Sequence, residues 1–91
     1  MDYTVVLEPC EEGGFSVTVP ALPGCITEGD NVLDALRMAE DAITLYLESL
    51  AAHGETIPVE GPTVTIETAG VSEALIFRVR VDSAAGRVNV A

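Results

Sequence analysis

Gly13-Gly14-Phe15-Ser16-Val17-Thr18-Val19-Pro20-Ala21-Leu22-Pro23-Gly24-Cys25-Ile26-Thr27-Glu28-Gly29-Asp30 is the stretch that decides the fold. Gly13-Gly14 frees the backbone for positive φ. Phe15, Val17 and Val19 then alternate strictly with Ser16 and Thr18, the period of a half-buried strand. Pro20 ends that strand by removing a ladder donor. Ala21-Leu22-Pro23-Gly24 reads as a loop, Cys25-Ile26-Thr27-Glu28 as a short third strand, and Gly29 as its break. Upstream, Tyr3, Val5 and Leu7 share one face of a first strand, and Pro9-Cys10-Glu11-Glu12 completes a long hairpin turn.

Downstream, Asp30 or Asn31 caps a helix that runs to about Ala52 or His53 and is closed by Gly54. At 100° per residue, Leu33, Leu36, Ala39, Ile43, Tyr46, Leu47 and Leu50 fall within an arc of roughly 140°, with Asp34, Arg37, Asp41 and Glu48 opposite. Glu40 lies on the margin of that arc, placed to reach water or Arg37. After a connection carrying Pro58, Gly61 and Pro62, Thr63 to Thr68 alternates as a strand. Leu75 to Asp82 alternates again, and Arg87-Val88-Asn89-Val90 is a last short strand. Arg78 and Arg80 share one face of their strand and are expected to answer acids such as Glu67 or Asp82, or a second subunit. The order β-β-β-α-β-β-β is a two-layer α+β domain, one long helix on one face of an antiparallel sheet.

The 91 residues suit one domain, with no internal repeat or linker. Apolar residues make up 48% of the chain, enough for a packed core. Lys is absent, and four arginines face 15 acids, for a net charge of −11. The charge is uneven: residues 1–60 hold 12 acids and one base, Arg37, whereas in residues 61–91 three acids balance three arginines. Such a field disfavours direct nucleic-acid binding and suits a basic partner, although acids also simply keep a small protein soluble. No apolar run reaches the roughly 18 residues of a membrane span, and Met1-Asp2-Tyr3 does not open a secretory signal. A soluble cytoplasmic protein is expected.

Chemistry is sparse. Cys10 and Cys25 fall at opposite ends of a hairpin, too far apart for a disulfide, and with the lone His53 they complete no metal site of the usual kind. His53 reads as a helix-end residue. Gly13-Gly14 precedes a strand rather than a helix N-terminus, so it is no phosphate loop. No catalytic residue, metal or cofactor is expected.

The GG-F turn, Pro20-Ala21-Leu22-Pro23-Gly24-Cys25, Thr27-Glu28-Gly29-Asp30, and the helix with Ala35, Ala39, Ala42-Ile43 and Tyr46-Leu47 together resemble the HicB-like antitoxins. The resemblance covers residues 3 to about 58, with Gly13, Gly14, Phe15, Pro20, Pro23, Gly24, Gly29 and Asp30 as its structural motif. It implies a degraded ribonuclease-H-like fold and a partner: a HicA-like toxin, small, basic and mRNA-cleaving, that the antitoxin binds and silences. The surface offered to that partner is read as Glu11, Glu12, Leu22, Pro23, Glu28 and Asp30. Many members add a C-terminal helix-turn-helix or ribbon-helix-helix that binds operator DNA. Residues 61–91 read instead as strands and turns, so the expectation is a single HicB-like domain: residues 1–60 as the core, and the rest extending the sheet or building a dimer or tetramer. Two alternatives stay open. One is an oligomeric binding module of other purpose. The other is a metal-dependent nuclease using Glu40 or Glu48, although true members place an Asp where this chain has Val5 and Val6.

Overall fold

The computed structural model describes residues 1–66 and 73–81. Strands β1 (Asp2–Pro9), β2 (Phe15–Thr18) and β3 (Ile26–Gly29) precede helix α1 (Val32–Ala52), and β4 (Leu75–Arg80) follows it. All neighbours pair antiparallel, in the order β3-β2-β1-β4. Among the described residues one helix packs on a four-stranded antiparallel sheet, the expected α+β class.

The core lies between α1 and one sheet face. Tyr3, Val5 and Leu7 of β1, Val17 of β2 and Val79 of β4 meet Ala35, Ala39, Ile43 and Leu47 of α1. Burying a side chain the size of Ile43 or Leu47 contributes roughly 1.5–3 kcal/mol. The helix begins as expected: the Asn31 carboxamide oxygen accepts from the Asp34 N–H at 2.8 Å. At its other end the His53 N–H bonds the carbonyls of Ser49 and Leu50 at 3.1 Å each, and Gly54 turns with φ +69°.

Two expectations are corrected. Leu33 is not on the buried arc: it is 66% exposed, and Ala35 takes the core position above Gly29. The helix approaches the sheet so closely there that only a small residue fits. Leu33→Glu is therefore expected to change stability by less than about 0.5 kcal/mol, as an exposed substitution does, checked by urea unfolding. Residues 63–66, read as the start of a strand, have no strand pairing. The connection is held through a side chain instead of a ladder: Glu60 bonds Thr4 and Arg78, and Gly61 and Pro62, poor ladder residues, follow it. Glu67, Thr68, Asp82 and the expected strand over 87–90 lie outside the described residues.

The outer sheet face is closed in an unanticipated way. The Cys10 N–H donates to the Gly14 carbonyl at 3.0 Å, which sets the ladder phase: Cys10, Glu8, Val6 and Thr4 turn their amides toward β2. Since Val6 pairs with Thr18, the position beside Thr4 would fall to Pro20, which leaves the sheet. Glu60 fills the gap. Its carboxylate accepts from the Thr4 N–H at 2.6 Å and the Thr4 hydroxyl at 2.8 Å, and it pairs with the Arg78 guanidinium at 2.8 Å. Arg78 is thus answered by Glu60, and Arg80 by Asp2 at 2.9 Å. The Glu60 side chain is only 3% exposed. Burial pushes its pKa up, but the two Thr4 bonds and Arg78 outweigh that and hold it below the ordinary glutamate value.

Candidate partner-binding surface

Three element ends meet where the β1–β2 turn closes. Gly13 and Gly14 have φ of +97° and +75°, and a Cβ on Gly14 would lie 2.7 Å from the Gly29 carbonyl oxygen. A Cβ on Gly29 would in turn lie 2.4 Å from the Ala35 amide nitrogen. Turn, β3 and the first turn of α1 therefore stack backbone on backbone. This stack gathers Glu11 and Glu12 from the turn, Glu28 from β3, and Asp30 and Asp34 from the helix start. Glu11, Glu12, Glu28 and Asp30 are exposed. The Asp30 N–H donates to Asp34 Oδ2 at 2.9 Å, which fixes the chain entering the helix. Carboxylates at a helix N-terminus also suit the helix dipole.

The other two residues read as partner-facing lie elsewhere. Leu22 is completely buried in the core, so its inclusion among surface residues is corrected: it anchors the loop from within. Pro23 is exposed, and its carbonyl accepts from the Tyr46 hydroxyl at 2.8 Å. It belongs to the loop joining β2 to β3, at the end of those strands away from Gly14 and Gly29. Four residues of β3, about 13 Å of strand, separate the two ends. The structure brings Glu11, Glu12, Glu28 and Asp30 to one end and leaves Pro23 at the other.

The sequence reading missed apolar residues beside the acids. Ile26 is 67% exposed and lines a shallow groove with Ser16, Thr27, Glu28 and Met38. Leu45, seven residues after Met38, is likewise exposed. The signal was present: Ile26 alternates out of phase with the inward Cys25, and Met38 and Leu45 share a stripe outside the buried arc.

Among the described residues, no group of three or more His, Cys, Asp or Glu side chains is placed to hold a metal. Glu40 is exposed on α1, and Val5 and Val6 are buried on β1. Cys10 is exposed and Cys25 buried, both as free thiols, and burial raises the Cys25 pKa. Among the described residues no helix is long and apolar enough to cross a membrane.

Comparison with known proteins agrees with this architecture. A UPF0150 protein of Thermoplasma acidophilum is 48% identical over 58 residues, covering 64% of this chain and 84% of that one. Antitoxin HicB 1 of Photorhabdus laumondii is 36% identical over the whole chain, which spans 61% of that relative's length. The N-terminal domain of Burkholderia pseudomallei antitoxin HicB superposes with a TM-score of 0.72 at 26% identity, covering 90% of this chain and 99% of that one. A chain of a HicA3 and HicB3 toxin–antitoxin complex shares the fold, with a TM-score of 0.64, 21% identity and coverage of 90% and 99%. The family model for the HicB-like antitoxin of bacterial toxin–antitoxin systems matches residues 3–91. From the glycine-stacked hairpin to the helix and β4, then, the chain belongs to the HicB-like antitoxin family.

Proposed function

We propose that this protein is a non-catalytic antitoxin that binds a basic, HicA-like mRNA-cleaving toxin stoichiometrically and neutralises it with its carboxylates. The observation that carries this reading is the glycine stack, which holds Glu11, Glu12, Glu28 and Asp30 at one end of the molecule. A surface built for phosphate attracts such an array, which speeds encounter and then competes with RNA. In this reading residues 1–60 form the binding core. Residues 61–91 contribute β4 and self-association rather than an operator-binding helix, and the protein acts in the cytoplasm without direct nucleic-acid contact.

The test is titration of the chain into a HicA-like toxin encoded beside it, with RNA cleavage as readout. Inhibition complete at a fixed stoichiometry is expected. Replacing Glu11, Glu12 and Glu28 with Gln and Asp30 with Asn together should slow association on the order of tenfold or more at low salt. Raising the salt should shrink that difference. Undiminished cleavage at excess antitoxin would reject the reading, and unchanged association by the quadruple variant would reject the electrostatic mechanism.

A further inference from the structure

Among the described residues β3 is an edge strand, bonded to β2 on one side only. The Val19 N–H donates to the Cys25 carbonyl at 3.2 Å, which sets the phase of this ladder. Cys25, Thr27 and Gly29 therefore direct their backbone groups to β2, and Ile26 and Glu28 direct theirs outward. Proteins commonly blunt such edges with Lys, Pro or a covering segment. β3 carries neither residue, and Ile26 and Glu28 are exposed. Its rim pairs apolar Ile26 and Met38 with the carboxylates of Glu28 and, at the end of the strand, Asp30.

We propose that the outer edge of β3 is where a protein partner adds an extended, cationic strand, pairing its backbone with Ile26 and Glu28. In such strand addition main-chain bonds supply affinity and alternate side chains supply specificity. Apolar side chains of the added strand rest against Ile26 and Met38, and its cations face Glu28 and Asp30. A second copy of this chain is disfavoured there. It carries the same −11 charge, and a two-fold pairing would double the acids along one short seam. The identity of the partner rests on the antitoxin reading, whereas its place rests on the geometry of β3.

The probe is an acetylated, amidated hexapeptide alternating Lys and Val, followed by amide NMR on the full chain, with a Glu-and-Val hexapeptide as control. The cationic peptide is expected to shift the Ile26 and Glu28 amides saturably and slow their hydrogen exchange at least tenfold. Thr27 and Gly29, already bonded to β2, should change little in exchange. The acidic peptide should bind at least tenfold more weakly. Glu28→Pro removes an outward N–H while sparing the β2 ladder, and it should abolish the protection with the fold intact. Equal binding of both peptides, shifts centred elsewhere, or concentration-dependent protection of Ile26 and Glu28 without peptide would overturn the proposal. The last outcome would assign the edge to a second copy. In the toxin complex, protection of the same two amides is expected. Neutralisation without it would sink this inference alone, whereas edge protection by the peptide beside a toxin that stays active would sink the antitoxin reading alone.

Discussion

Gly29→Ala is expected to destabilise the protein by about 3 kcal/mol or more, a large share of the total for so small a domain. The added methyl would sit 2.4 Å from the Ala35 nitrogen and 2.5 Å from its Cα, and both obstacles are backbone. Neither can swing aside as a side chain does. The first turn of α1 would have to lift from β3, opening the core around Ala35 and Ala39. Gly61→Ala is the control, because nothing lies within 4 Å of that position, and it should unfold at nearly the wild-type midpoint. Urea unfolding measures both. A Gly29→Ala midpoint equal to wild type would mean that helix and strand are not in contact here. In the proposed antitoxin role, the same variant should also weaken toxin binding beyond its effect on stability, because Asp30 and Asp34 move with the helix start.

Glu60→Ala is expected to cost about 2–3 kcal/mol. It would leave the Thr4 N–H and hydroxyl without their acceptor on a strand residue that is 7% exposed. The pH dependence sharpens the test. Because the folded pKa of Glu60 is lowered, its stabilisation is complete above the ordinary glutamate range and is lost as pH falls through the lower folded value. Asp2, held low by its hydrogen bond to Arg80, titrates in the same direction, so total stability alone does not isolate Glu60. Comparison with Glu60→Gln does, since Gln resembles the protonated acid. The stability gap between wild type and Glu60→Gln should be widest near neutral pH and close toward strong acid. A gap independent of pH would show that the Glu60 charge contributes nothing. Tyr3 supplies a spectroscopic check: burial and the Glu60 charge both raise its pKa, so Glu60→Gln should lower the pH at which its phenol ionises.

Local periodicity was enough for much of this molecule. The period of two in Phe15–Val19 and Leu75–Val81, the Asn31 cap and the Gly54 stop each report forces acting within a few residues, and each element formed where those forces direct it. The acids of the candidate surface were equally visible as residues, because charge needs no fold to be counted. Leu33 and Leu22 show where that reading failed. Leu33 sits in the first turn of α1, where Ala35 and not Leu33 faces Gly29, and Leu22 sits in the β2–β3 loop, which folds over the core and buries it.

Hydrophobic period, capping and charge are local properties, so the α+β class, the order of the elements as far as α1, and the sign of the net charge are legible without the fold. It takes the packed chain to show that Glu60 completes β1 in place of a strand, that Pro23 stands apart from the acids, and that β3, among the described residues, keeps an open edge. Each of these depends on which strand lies beside which, and neighbours across a sheet are set by packing of the whole chain.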